Sequence, residues 1–158
     1  MPSHFFAKGA DSDSYEISDF IMEAYVAEIE QPVITPETLK DIELKKDTGI
    51  LFKTRNSRDR LFYKKEFNKD FVSISEDAAE LLVRKKARLV AIDYITAEYC
   101  ATEPKKYPIH KKLLGNGILM LEAVDLSDIP QGWYRLFAVP LRIASSEALP
   151  VRAFLEEL

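Results

Sequence analysis

The chain has 158 residues, 47% of them hydrophobic and 30% charged, with a net charge of −4 at pH 7. That length can bury well over half of the unfolded surface in one core, and the composition is that of a folded chain, not a disordered one. Lysines are scattered among acids, so no basic face for nucleic acid is expected. No apolar stretch approaches the ~20 residues of a membrane span. A single cysteine, Cys100, excludes an internal disulfide and fits a reducing compartment, where it is expected as a small, partly buried filler.

The start, "MPSHFFAKGADSDS", has no basic stretch followed by an apolar run, so it does not read as a signal peptide and the expected location is cytoplasmic. No repeat, low-complexity tract or long Pro/Gly linker divides the sequence, which predicts one domain over residues 1–158. Residues 1–20 pass from "PSHFF" into a polar, acidic loop. "EAYVAEIE" (23–30) alternates as a strand does. "TPETLKDI" predicts a helix, with Thr35 as N-cap and Pro36 at the first helical position. "GILFKT" (49–54) is a short buried strand, and "RNSRDRLFYKKEFNKDF" a charged, aromatic loop with a short helix, read as a solvated surface. Within it Asn56 and Ser57 are expected to stabilise a turn.

"SISEDAAELLVRKKARLVAIDY" is the clearest stretch. Ser75 caps a helix whose first turn carries Glu76 and Asp77, where the helix dipole favours negative charge. Ala79, Leu82 and Val83 form its apolar stripe, and "RLVAID" (88–93) follows as a central strand. Asp93 stands at the tip of that strand, where a carboxylate either lines a cleft or caps the next turn. After the polar loop "TAEYCATEPKK", "PIHKKLLG" predicts two turns of helix after Pro108, closed by Gly115. "GILMLEA" predicts another buried strand with Glu122 near its end. A turn-rich crossover, a strand in "YRLFAVPLRI" and a last one in "PVRAFLEE" complete the chain, with Trp133 expected in a core or interface. Five or more strands and two to four helices in mixed order define an α/β or α+β class with a mixed sheet.

His110 is one of two histidines, and Glu122 follows it twelve residues later. A helix rising ~1.5 Å per residue puts His110 ~7 Å back from Gly115. Five strand residues at ~3.3 Å carry Glu122 about 16 Å in the return direction. Contact is permitted but not required. Imidazole and carboxylate together suit zinc, manganese or iron, yet spacing alone favours a structural or surface role for His110.

Several stretches in order, "PSHFFAKG", "LFKTRNS", "SEDAAELLVRKKARLVAIDY", "IHKKLLGNGILMLEAVDLSDIPQGWYRLFAVPLRI" and "PVRA", resemble the cyclase-like metal-dependent hydrolases, the family that includes bacterial kynurenine formamidase. The resemblance covers nearly the whole chain. It implies a swivelling β/β/α fold, a homodimer or homotetramer, and hydrolysis or cyclisation of small amide or acyl compounds with a divalent metal, zinc or manganese. The family's early motif, H-x-G-T-H-x-D-A-P-x-H, has metal ligands in its first two histidines and its aspartate, and a proton shuttle in its last histidine. Here Pro2 matches the motif's proline and His4 its last histidine, while Met1 stands where the alanine would be. The motif's two ligand histidines and its aspartate would fall before residue 1.

By resemblance His110 and Glu122 are the family's later pair of metal ligands, and His4 is the proton-transfer group. Phe5 and Phe6 flank His4 and could wall a substrate pocket, with Asp93 as a further candidate. With only two histidines, one chain has few donors for a full coordination sphere, and a chain without bound metal is the alternative expectation. Two functions follow: a metal-dependent amide or acyl hydrolase whose true start lies upstream, or a shortened relative that acts as a binding or interaction module. A shortened form would leave apolar surface to be hidden by self-association or a partner.

Overall fold

The computed structural model describes residues 1–99 and 107–158. Cys100 and the rest of the polar loop before Tyr107 lie outside the described residues. In chain order the elements are β1 (Ile21–Glu28), β2 (Val33–Ile34), β3 (Gly49–Lys53), α1 (Arg55–Arg58), β4 (Ser73–Ile74), α2 (Glu76–Arg84), β5 (Leu89–Ile92), α3 (Pro108–Gly115), β6 (Leu119–Leu121), β7 (Gly132–Phe137) and β8 (Phe154–Glu157). Short 3-10 turns at Pro2–His4, Ser12–Ser14 and Ile17–Phe20 occupy the segment read as a loop.

Six strands form one mixed sheet in the order β6-β5-β3-β1-β7-β8. The first four run parallel, and β7 and β8 add antiparallel pairings at the other edge. β2 and β4 make a separate parallel pair. Of the α/β and α+β classes that the sequence left open, the α/β class with a mixed sheet is the one observed.

Strand alternation sends two sets of side chains to opposite faces. Ile50, Phe52, Val90 and Ile92 meet Ala78, Ala79 and Leu82 of α2 and Ile109 and Leu113 of α3. Met22, Ala24, Leu51, Leu89 and Leu119 face the other way, where loop residues such as Leu126 and Val151 cover them. Ser75 caps α2 as expected, its hydroxyl accepting from the Ala78 N–H at 3.1 Å.

Three expectations need correction. No α-helix follows Thr35: the backbone closes i→i+3 turns, Leu39 to Pro36 and Ile42 to Leu39, each 3.2 Å. The Thr38 hydroxyl accepts from the Thr35 N–H and donates to the Thr35 carbonyl, offering the backbone an alternative to helix propagation. The strand expected through Ile143 ends at Phe137, because its partner β1 begins at Ile21, the residue paired with Phe137. One further bond, from the Ala138 N–H to the Phe20 carbonyl at 2.9 Å, closes the ladder. The strand containing Glu122 covers only Leu119–Leu121, and Met120 and Leu121 are half-buried.

Of the two roles open to Asp93, capping is the one its contacts fill. It is 1% exposed, and both oxygens serve the start of α1. Oδ2 accepts from the backbone N–H of Thr54 (2.7 Å) and of Ser57 (3.0 Å). Oδ1 accepts from the Thr54 hydroxyl (2.9 Å) and the Asn56 amide (3.2 Å). Asn56 and Ser57 thus do stabilise a turn, as the first residues of α1. Asn56 extends the network by donating to the Val72 carbonyl at 3.1 Å and accepting from its N–H at 2.8 Å.

Four buried donors on one carboxylate make its removal costly, since each would be stranded without water. Asp93→Ala is expected to lower the unfolding free energy by about 3 kcal/mol or more in urea denaturation. A loss below about 1 kcal/mol would contradict this account of the turn.

Candidate functional site: an imidazole between two carboxylates

The candidate site lies beyond the carboxyl ends of β5 and β6, where parallel sheets commonly bind ligands. Three segments build it. The first is the loop after β5, which carries Ala97 and Glu98. The second is α3, whose third residue is His110. The third is the exit of β6, which places Glu122 directly after Leu121.

The helix start explains how Glu98 comes to be there. Tyr107, the N-cap of α3, has a left-handed backbone (φ 45°) and makes no side-chain cap. Glu98 supplies one from a distance: its Oε1 accepts from the His110 backbone N–H at 3.0 Å. A carboxylate at a helix N-terminus is also favoured by the dipole. The same oxygen lies 3.2 Å from Nδ1 of the His110 ring, so one carboxylate fixes both the backbone and the side chain.

On the far side of the ring, Nε2 lies 3.2 Å from Oε1 of Glu122. That oxygen also accepts from the Ala97 N–H at 2.9 Å, which ties β6 to the loop bearing Glu98. Ala123, next in the chain, holds φ 60° and donates to the Tyr94 carbonyl at 2.7 Å. Gly117 (φ 76°), between α3 and β6, supplies the left-handed residue that returns the chain to the sheet. The contact between His110 and Glu122 that spacing merely permitted is therefore formed. His110 is not a surface residue; it is 8% exposed.

Two opposing effects set the charge of His110. Burial, the largest, pushes the imidazole toward its neutral form. The hydrogen bonds to Glu122 and Glu98, together with their negative charges, outweigh it and raise the pKa from 6.5 to about 9. With no metal bound, this favours the protonated ring at neutral pH, donating to a carboxylate on each side.

Phe5 covers this group, its ring centroid 5.2 Å from that of His110 and 5.4 Å from that of Tyr107. Gly9 makes the fold of this segment possible. A Cβ there would lie 2.5 Å from the Pro2 carbonyl carbon, so no larger residue fits beneath the turn carrying Phe5. His4 stands edge-on to Phe5 at 4.8 Å and pairs through Nδ1 with Glu147 Oε1 at 3.0 Å, with its side chain about half exposed. Phe6 goes elsewhere, packing at the opposite end of α3, where a Cβ on Gly115 would lie 3.2 Å from its Cζ. Asp93 has both oxygens committed to α1, as described above.

Glu98 and Glu147 were not anticipated from the sequence. Glu98 sits in a polar loop with no periodic signal. Its only trace is arithmetic, since it precedes His110 by the same twelve residues that separate His110 from Glu122.

A mixed sheet with a carboxylate-bracketed histidine at its carboxyl edge places the chain among α/β proteins with a polar site beyond the strand ends. The comparisons narrow that class. The family profile described as "Putative cyclase" matches residues 1–99, and the chain belongs to this Cyclase family. Cyclase-like protein 3 of Arabidopsis thaliana is 31% identical over 156 residues, covering 96% of this chain and 56% of that protein. Kynurenine formamidase of Salinibacter ruber (strain DSM 13855 / M31) is 28% identical over 158 residues, covering 99% of this chain and 72% of that protein. A solved structure described as a potential metal-dependent hydrolase with cyclase activity superposes with a TM-score of 0.85 at 28% identity, over 98% of this chain and 74% of the other. Isatin hydrolase A from Ralstonia solanacearum shares the fold, with a TM-score of 0.81 at 19% identity. The chain spans a little over half the length of the cyclase-like protein it matches.

The bracket has a signature in pH. A histidine whose folded pKa lies above its unfolded value adds stability that is complete below the unfolded value and is lost as pH rises through the folded one. The unfolding free energy is therefore expected to fall by on the order of 3 kcal/mol between pH 6.5 and about 9. Urea denaturation across that range checks it, and a flat profile would contradict the pairing.

Proposed function

We propose that this chain carries part of the site of a metal-dependent hydrolase acting on small amide or acyl compounds. The observation that carries the reading is the 3.2 Å approach of His110 Nε2 to Glu122 Oε1, beyond the carboxyl ends of two parallel strands. Membership of the Cyclase family supports it, as do the names of similar proteins: kynurenine formamidase and a potential metal-dependent hydrolase.

The donor set fits a divalent cation in part. Two donors each roughly 2.0–2.2 Å from one ion at a tetrahedral angle stand roughly 3.3–3.6 Å apart, slightly more than the observed 3.2 Å. Among the described residues no group of three His, Cys, Asp or Glu side chains gathers to hold a metal. His110 and Glu122 would therefore be two ligands of a larger set, completed by carboxylates or by a second subunit. Zinc or manganese suits this mixture of nitrogen and oxygen donors. When bound, such an ion supplies a water acidified toward neutrality and polarises a carbonyl.

The chain's own residues have separable roles. Glu98 holds the His110 ring by Nδ1 and so aims Nε2 at Glu122. His4, held by Nδ1 to Glu147, keeps Nε2 to carry a proton to the leaving nitrogen. Phe5 shields the imidazole from water on the side facing His4. A homodimer or homotetramer belongs to the same reading, supported by the exposed Leu141, Ile143 and Phe154.

A second reading, a binding or interaction module of the same fold, is favoured by the full engagement of His110 by two carboxylates. Metal content separates the two. Purified protein exposed to zinc or manganese and then desalted is expected to retain about one ion per chain by elemental mass spectrometry. Glu122→Gln is expected to lose it while remaining folded by circular dichroism. Retention by that variant would exclude Glu122 as a ligand, and absence of metal from the parent protein would favour the module.

A further inference from the structure

The loop over residues 60–70, between α1 and β4, contributes no residue to the bracket. Its first residue, Arg60, is left-handed (φ 51°), and Leu61–Tyr63 form one 3-10 turn. Beneath it Leu61, Phe71 and Tyr94 make a small buried cluster of their own. The Tyr94 hydroxyl accepts from the Asn68 N–H at 2.9 Å and donates to the Asn68 carbonyl at 3.0 Å. Phe67 leans on this cluster, its ring centre 5.7 Å from those of both Phe71 and Tyr94. The loop is therefore a held platform.

What the platform presents is apolar and cationic at once. Phe62 is 44% exposed, Tyr63 57% and Phe67 43%. Phe62 and Tyr63 stand edge to face at 5.6 Å, and the Tyr63 hydroxyl donates to Asp125 at 2.7 Å. Lys64, Lys65, Phe67 and Lys69 line an open hollow of about 490 Å³, with Glu66 and Asn68 as its other residues. All three lysines are exposed and make no ion pair among the described residues. Arg60 lies over the Tyr63 ring, 4.9 Å from its centre. Residues 60–70 hold four cations against two carboxylates, Glu66 and Asp70, in a chain whose net charge is −4.

Aromatic rings and lysines together suit a boundary that is apolar on one side and charged on the other. There the rings enter the apolar side, and the lysines keep their ammonium groups among phosphates. An extended nucleic acid would instead call for cations spaced along a groove that follows several phosphates. Here the free cations are confined to one short loop, and a long polyanion would meet the acidic remainder of the chain.

We propose that this loop docks on the surface of a membrane containing anionic phospholipid. Phe62 and Phe67 enter the boundary between headgroups and acyl chains, and Tyr63 lies at headgroup level. Lys64, Lys65 and Lys69 pair with the lipid phosphates, and the hollow between them seats a headgroup. The contact is peripheral and independent of the hydrolase reading.

Co-sedimentation of the full chain with vesicles tests the docking. Vesicles of phosphatidylcholine mixed with phosphatidylserine are expected to carry the protein down at low salt, and phosphatidylcholine alone to leave it in solution. Lys64→Gln combined with Lys65→Gln is expected to weaken binding about tenfold or more. Phe62→Ser is expected to weaken it about tenfold. All three positions are exposed, and circular dichroism checks that these variants fold. Phe62→Trp is expected to gain a blue shift in emission on the anionic vesicles that the parent, with Trp133 as its one tryptophan, lacks. Equal sedimentation with both vesicles, unchanged affinity in the double lysine variant, or unshifted emission in Phe62→Trp would overturn the proposal. Release by inorganic phosphate beyond that by chloride at equal ionic strength would do so too, since a free anion would then be the ligand. Tighter binding to a single-stranded oligonucleotide than to the anionic vesicles would make nucleic acid the partner and equally overturn it.

Discussion

A charged imidazole removed from water is costly unless both ring nitrogens find acceptors and the acceptors are themselves compensated. His110 meets that condition with one carboxylate on each nitrogen. Each carboxylate in turn takes a backbone N–H, Glu98 from His110 and Glu122 from Ala97. Two glutamates and one imidazolium leave one net negative charge, and these two amide dipoles, one of them at a helix N-terminus, face it. The bracket joins the loop after β5, the start of α3 and the exit of β6. Losing any one member would strand the others, which makes these three segments one unit.

Position in the sheet gives the unit its functional meaning. Asp93, Glu98 and Glu122 all follow the ends of parallel strands, yet they do different work. Asp93 is saturated by four donors and builds the α1 turn, with nothing left for a ligand. Glu98 caps α3 and orients a ring. Glu122 lines a cavity beside β6, so it is a carboxylate at which structure and chemistry can meet. The same strand-end geometry thus yields one anchor, one orienting group and one accessible acceptor.

What could be read from the sequence follows the range of the forces involved. β1, β3, α2 and β5 have local signals, namely alternation, a capping serine and a run of branched residues, and all four appear where expected. The Thr35 segment had the right cap but carried Thr38, whose hydroxyl diverts the backbone into turns. The strand after Trp133 stops when its partner β1 runs out of residues, a limit set by register and invisible in either segment alone. His110 and Glu122 were singled out by spacing and by family resemblance. Their contact depended on how α3 lies on the sheet, and Glu98 entered only because Tyr107 leaves the helix without its own cap. Phe5 packs against the imidazole, whereas Phe6, adjacent to it, turns to the far end of the helix.

The account stands most directly on the protonation state of one ring. Site-resolved NMR titration of His110, assigned by its loss in His110→Gln, would follow its ring nitrogen shifts with pH. A midpoint near the raised value of about 9, with both nitrogens protonated at neutral pH, is the predicted result. A midpoint at or below the ordinary 6.5 would contradict the two-carboxylate bracket and the organisation built on it.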